Sequence, residues 1–403
     1  MKRVYEIILE EHLAHLRQMI FLSGPRQVGK TTTSLVASSE NPNHYYFNWD
    51  NEDHRALIIE GPHAIAQAAK LDEIKQVMPV LVFDEIHKYR NWKLFLKGFF
   101  DTYEKKCRIL VTGSARLDVY KRGGDSLMGR YFLYRLHPLS IREIADPDLP
   151  TQEIQLPREV NPADYEALLT YGGFPEPYLK RNKTFFNHWK RLRTEQLFRE
   201  DVRDLSRIQE MGQIQMLADI LQEEASHSLN YSVLAAKIKV SSPTLQRWIE
   251  LLKNLYFCFT IQPWSKNLSR SLIKEPKIYL WNWALIEDPG ARLENFVASH
   301  LYKAIQFWTD RGFGDFGLYY LRDKEKREVD FLVTKDRKPW FLVQAKSSSE
   351  GKGISRWLYY YQEKLKVPHA FQIAFDLPYV NQDCFKFKEP IIVLAKTFLS
   401  QLI

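Results

Sequence analysis

Residues 24–31 read Gly-Pro-Arg-Gln-Val-Gly-Lys-Thr, which fits the spacing G-x-x-x-x-G-K-[ST]. The flanks say what backbone carries it. Met19-Ile20-Phe21-Leu22 is an apolar run of the size of a buried strand, and Thr32-Thr33-Ser34-Leu35-Val36 can continue as a helix. Strand, tight loop and helix start, in that order, turn backbone N–H groups inward and add the partial positive charge of a helix N-terminus. Such a P-loop cradles phosphates. Gly24, Pro25, Arg26, Gln27, Val28, Gly29, Lys30, Thr31 and Thr32 are the expected nucleotide-binding residues. Lys30 would reach the β- and γ-phosphates of ATP, and the Thr31 hydroxyl would hold Mg2+.

A second motif agrees with the first. Val80-Leu-Val-Phe-Asp84-Glu85 is an apolar strand ending in two carboxylates. A buried parallel strand presents its last residue at the sheet's carboxyl edge, where ligands bind. Asp84 would hold Mg2+ there, usually through water. Glu85 would orient or deprotonate the attacking water, which points to hydrolysis of ATP. A P-loop kinase for small molecules often lacks that second acid, so this reading is disfavoured.

Apolar runs at 18–23, 44–49, 79–84, 107–113 and 131–136 alternate with helical patterns. That rhythm predicts an α/β fold with a mostly parallel sheet covered on both faces. The 403 residues leave room for further domains. A proline-rich stretch from Pro147 to Pro162 reads as a boundary. The expected pieces are a P-loop ATPase domain (1–146), a helical lid (147–225), a winged-helix-like module (226–265) and a second α/β domain (266–403).

Lys and Arg number 57 against 49 Asp and Glu, a net charge of +8. The mild basic excess favours phosphate or nucleic-acid ligands. Cys107, Cys258 and Cys384 are odd in number and far apart, so neither a disulfide framework nor a C-x-x-C metal site is expected. A reducing cytosol is the simplest compartment. Met1-Lys-Arg-Val-Tyr-Glu has no apolar core of a signal peptide, and no window suits a membrane span.

Together Gly24–Thr31, Phe83-Asp84-Glu85, Thr112-Gly-Ser114, Gly129-Arg130-Tyr131, His137-Pro-Leu-Ser140 and Gly172-Gly-Phe-Pro-Glu176 resemble the AAA-type ATPases of bacteria and archaea that carry a restriction-endonuclease-like C-terminal domain. The resemblance covers essentially the whole chain. It implies a polar sensor of the γ-phosphate at the end of Ile109-Leu-Val-Thr-Gly-Ser-Ala, either Thr112 or Ser114, with Ser114 the choice. Arg130, among glycines and just before a strand, suits an arginine finger acting in cis, or in trans within a homo-oligomer; a solvated or structural arginine is the competing reading. The Gly172-Gly173 turn reads as a structural element of the lid.

Residues 231–255 resemble a helix–turn–helix. Val233, Leu234 and Ile238 suit one helical face, and Val240-Ser-Ser-Pro243 starts a second helix. Leu245, Trp248, Leu251, Leu252 and Leu255 form its apolar stripe. Ser242, Thr244, Gln246 and Arg247 would then face a DNA groove, and Phe257–Ile261 would begin a wing. A scaffold or protein-partner role is the competing reading, because Glu250 weakens the basic face.

In the last piece, Asp330 followed by Gln344-Ala-Lys346 resembles the PD-(D/E)xK nuclease pattern, with the helical Glu294 beside it. In that family the acids bind Mg2+ and the lysine helps activate water. This chain has Gln344 where the family has an acid. An amide brings one neutral oxygen instead of a negative charge, which lowers metal affinity, although some members of the broad fold tolerate it. Glu328 would compensate only if its strand bends. Cleavage, or a relic kept for binding or dimerisation, both stand. Asn282, where related chains often carry Asp, is a second departure.

Overall fold

The computed structural model describes residues 1–113, 127–202, 210–265, 275–349 and 353–403. The chain divides into two compact units, one of Met1–His137 with Pro147–Leu149, the other of Pro138–Asp146 with Pro150–Ile403.

In the first unit, five short strands form one sheet: β1 (Met19–Ser23), β2 (His44–Asn48), β3 (Val80–Asp84), β4 (Arg108–Thr112) and β5 (Tyr131–Arg135). Every pairing is parallel and the order is β2-β3-β4-β1-β5. β1 and β3 are buried along their whole length, as continuous apolar runs in a sheet covered on both faces should be. The helix Trp92–Tyr103 buries Trp92, Phe95, Leu96, Phe99 and Phe100, the i, i+3, i+4 spacing of one helical face. Phe83 of β3 meets Phe95 and Phe99 edge-on at ring-centroid distances of 5.8 and 5.7 Å. This order inserts β4 between the P-loop strand and the acid strand. Thr112 is consequently level with Leu22 on one side and Asp84 on the other.

In the second unit, β6 (Cys258–Pro263), β7 (Lys277–Leu280), β8 (Phe316–Arg322), β9 (Glu328–Lys335), β10 (Lys338–Lys346), β11 (His369–Ala374) and β12 (Ile391–Leu394) form a seven-stranded mixed sheet. Its order is β12-β11-β10-β9-β8-β6-β7. The segment expected to begin a wing is β6, which pairs with β7 on one side and β8 on the other. The helix Pro289–Asp310, capped by Asp288, buries a long apolar face including Phe296, Leu301 and Trp308. One apolar cluster runs from Leu197 through Trp248 to Ile278 and Ala291. Residues expected to lie in lid, helix–turn–helix and C-terminal pieces thus share a core.

The helix–turn–helix segment forms helices Tyr231–Ile238 and Ser242–Asn254, the second capped by the Ser241 side chain. Leu245, Trp248, Ile249 and Leu252 are buried, with Leu251 and Leu255 packed beside them. Val233 corrects one expectation. It is 62% exposed, and Ala235 takes the core position beside Leu234 and Ile238.

The Gly172-Gly173 turn has a steric cause. Gly172 has φ +81°, and a Cβ there would lie 2.3 Å from Asn282 Oδ1. A Cβ on Gly173 would lie 2.7 Å from the Leu139 carbonyl oxygen. Neither position admits a side chain. Asn282 itself caps a short turn by accepting from Ala284 N–H.

Candidate functional site

The loop leaving β1 begins at Gly24, whose φ of +152° and close neighbour both demand glycine. A Cβ there would stand 2.4 Å from the Leu136 carbonyl oxygen. Gln27 and Gly29 also have positive φ, 61° and 100°, and Gly29 opens the helix Lys30–Ser39. Lys30 is buried, and its Nζ donates to the carbonyls of Gly24 at 3.0 Å and Pro25 at 2.7 Å. The ammonium is therefore laid across the loop. Pro25 and Val28 are buried, Arg26 and Thr31 half-buried, Gln27 and Thr32 exposed.

Asp84 ends β3 and is 4% exposed. Its Oδ2 accepts from the hydroxyls of Thr31 at 2.9 Å and Tyr46 at 2.7 Å, and its Oδ1 accepts from Thr112. The two expected Mg2+ ligands, Thr31 and Asp84, are thus in direct contact. A hydroxyl and a carboxylate side by side are hard oxygen donors that suit Mg2+. Burial, then the bond to Asp84, pushes the Tyr46 phenol well above its ordinary range, so it stays a donor.

Glu85 follows with φ 55° and hydrogen-bonds its own N–H to the Thr112 carbonyl at 3.1 Å. Its carboxylate lies 3.4 Å from Lys88 Nζ and 3.7 Å from His87 Nε2. Lys88 in turn holds Asp50 at 2.6 Å. Of the two sensor candidates, Thr112 is the one on the Asp84 carboxylate; Ser114 lies outside the described residues. Arg130 is placed elsewhere. It precedes β5, whose first residue pairs with Met19 at the amino end of β1, whereas the P-loop leaves the other end. That separates them by about 16 Å of strand. Its guanidinium forks onto Asp101 at 2.7 and 3.0 Å. This placement does not suit a finger in cis; the fork onto Asp101 fits a structural arginine, and an action across subunits stays an expectation.

Arg3 was missed by sequence reasoning. It is buried, and donates to the Val28 carbonyl at 3.0 Å and the His137 carbonyl at 2.7 Å. A charge so near the start of a chain carries no local signal of that job. Tyr46 was missed too, since its strand reads only as an apolar run.

In the second unit, Glu294, Glu328 and Asp330 converge on Lys277. Its Nζ lies 2.7 Å from Glu328, 3.1 Å from Glu294 and 3.8 Å from Asp330. The Tyr279 hydroxyl donates to Glu294 at 2.8 Å. Gln344 Nε2 donates to Asp330 Oδ2 at 2.6 Å, and Ala345 N–H to the same oxygen at 2.9 Å. Burial and the Glu294 charge push the Asp330 carboxyl up to about 7 against the pull of Lys277. The three neighbouring acids hold Lys277 above its ordinary range despite its burial. Of the expected residues, Glu294, Asp330 and Gln344 meet, and Lys346 is exposed at the end of β10. Lys277 and Tyr279 were not foreseen; the available signal was a lysine opening a strand buried along its whole length. In the helix–turn–helix, Gln246 and Arg247 are exposed, and the Thr244 hydroxyl is bound to Ser241 at 2.9 Å.

Among the described residues no helix is long and apolar enough to cross a membrane. Residues 16–145 match the family model of an AAA domain. Residues 162–288 match a domain of unknown function (DUF8612), and residues 289–375 a second one (DUF4143). Two mycobacterial relatives, the uncharacterized protein Rv2008c of Mycobacterium tuberculosis and Mb2031c of Mycobacterium bovis, are each 22% identical over 341 residues, covering 81% of this chain and 70% of theirs. Among solved structures, the Aeropyrum pernix ORC1 protein in complex with DNA is 14% identical at a TM-score of 0.33, covering 73% of this chain and 92% of that one. AMPPCP-bound DnaA from Aquifex aeolicus is 15% identical at 0.32, covering 61% and 86%.

Proposed function

We propose that this chain is a Mg2+-dependent ATPase that couples ATP hydrolysis to DNA processing or remodelling in the cytosol. The observation that carries the reading is the contact of Thr31 with Asp84 beside a P-loop crossed by Lys30. Lys30 exchanges its two carbonyl partners for the β- and γ-phosphates when ATP binds. Thr31 and Asp84 would hold Mg2+, which when bound would supply positive charge to the phosphates. Thr112 keeps the Asp84 carboxylate oriented. Glu85 leaves Lys88 and takes the proton of the attacking water as general base. Arg130 serves a neighbouring copy, which makes the active form a homo-oligomer. Gln246 and Arg247 supply the DNA contact of a winged-helix-like module that precedes a nuclease-like domain.

The test is ATP turnover with and without DNA in wild type, Lys30→Ala and Glu85→Gln. Lys30→Ala should lose nucleotide binding. Glu85→Gln should keep binding and lose turnover by about 100-fold or more. Equal turnover in all three removes the assignment.

A second reading is favoured by Lys277 and Gln344 at the acid cluster. In it the protein is a nucleotide-controlled binding switch with slow turnover and an inactive nuclease-like tail. Tight ADP retention and partner binding that survives Asp330→Ala would distinguish it.

A further inference from the structure

The nuclease resemblance implies a divalent cation between Glu294, Asp330 and residue 344, and the residues present do not fit one. Three carboxylates do converge there, but on an ammonium. Lys277 is 4% exposed and stands within 4.0 Å of all three acids. It is fixed by its strand. Lys277 pairs with Ile261 of β6 and bridges to Ser228. Asp330 Oδ2, a natural metal ligand, is already taken by two N–H donors. One of these is the amide of Gln344, so the residue that would donate an oxygen to a metal instead turns its nitrogen to the acid. The Gln344 Oε1 is buried without a partner. Among the described residues no group of three or more His, Cys, Asp or Glu side chains is arranged to hold a metal ion.

We propose that Lys277 is a built-in counter-ion that occupies the cation position of the nuclease-like site, so that this unit takes no Mg2+ or Mn2+ there. A second cation so close to an ammonium would be strongly repelled at low effective dielectric. Moving Lys277 aside would strip a buried charge of its partners. The site is also latent: Glu294, Glu328, Asp330 and an acid at 344 would be a hard oxygen set for a divalent ion once the ammonium is gone. The proposal is independent of the P-loop reading.

The experiment is Mn2+ binding to the full chain without nucleotide, read by the loss of the free-Mn2+ electron paramagnetic signal. Wild type and Asp330→Asn should bind the same amount. The variant Lys277→Ala with Gln344→Glu should gain one equivalent and lose it again when Asp330→Asn is added. Its melting temperature should rise with Mn2+, and that of wild type should not. A wild-type equivalent abolished by Asp330→Asn overturns the proposal. So does a folded double variant that gains none. The wild-type comparison decides even if the double variant does not fold.

Discussion

The Tyr46 hydroxyl donates to Asp84 Oδ2 at 2.7 Å, and that oxygen also accepts from Thr31 at 2.9 Å. A residue on the neighbouring strand therefore sets the orientation of the carboxylate that would hold Mg2+. Asn48, at the end of β2, is level with Asp84 in the β2–β3 register, so Tyr46 reaches forward along the sheet to its carboxyl edge.

Tyr46→Phe keeps the ring and removes the donor. Partners that orient a metal ligand typically matter about 10- to 100-fold in metal affinity. The Mg2+ concentration for half-maximal turnover should rise about tenfold, while ATP binding in EDTA stays near wild type. A fall in metal-free binding with an unshifted Mg2+ profile would show that Tyr46 supports the fold and not the carboxylate.

Arg3 ties the Val28 carbonyl, inside the P-loop, to the His137 carbonyl beyond β5. Arg3→Met leaves two carbonyls without that charged donor, at about 1–3 kcal/mol for a buried unsatisfied group. The expected outcome is a lower melting temperature and weaker nucleotide binding together. Restoration of part of the loss by saturating ATP would follow from mass action. Unchanged affinity in a destabilised variant would confine Arg3 to the fold.

Lys303 holds the Pro138–Ser140 part of the segment His137-Pro-Leu-Ser140. Its Nζ, buried to 2% exposure, donates to the Pro138 carbonyl at 3.2 Å, Ser140 Oγ at 2.9 Å and Glu143 at 2.6 Å. Lys303→Met should cost about 3–5 kcal/mol, because the buried Glu143 carboxylate would lose the ammonium beside it. Adding Glu143→Leu should recover much of it. Denaturant unfolding of the single and double variants measures this; additive losses would refute the coupling.

All five strands of the first sheet were legible, because short apolar runs between helical patterns have few other solutions, and Asp84 followed from the strand it ends. What the sequence withheld depends on register between strands. Thr112 and Ser114 are two positions apart in one Ser/Thr-containing stretch of sequence, and only the pairing with β3 puts Thr112 on Asp84. Arg130 looks well placed beside its glycines until the parallel register sets it at the wrong end of the sheet. The acid cluster was half visible: Glu294, Asp330 and Gln344 carried a motif, whereas Lys277 carries none and comes from a strand outside it. Val233 failed for a smaller reason, since Val233 and Ala235 are both apolar and only the angle of packing chooses between them.

His300 gives the fold a dependence on acid. Its Nε2 accepts from Ile141 N–H at 3.0 Å, which places the proton on Nδ1, where it is donated to the Phe296 carbonyl at 2.8 Å. Burial, against the bond to Phe296 and with help from Lys303, drives its pKa down to about 3 from 6.5. The unfolded chain therefore takes up a proton below about pH 6.5 that the folded chain refuses until about pH 3. Stability is fully present above the unfolded value and is lost as pH falls through that window, by up to about 1.4 kcal/mol per unit. From pH 7.5 to pH 5 the histidine should cost about 2 kcal/mol. His300→Gln cannot take up that proton, so its unfolding free energy should fall by about that much less over the same interval. Denaturant unfolding of both proteins at pH 7.5, 6 and 5 measures the difference, and parallel curves would show that His300 is not what the acid attacks.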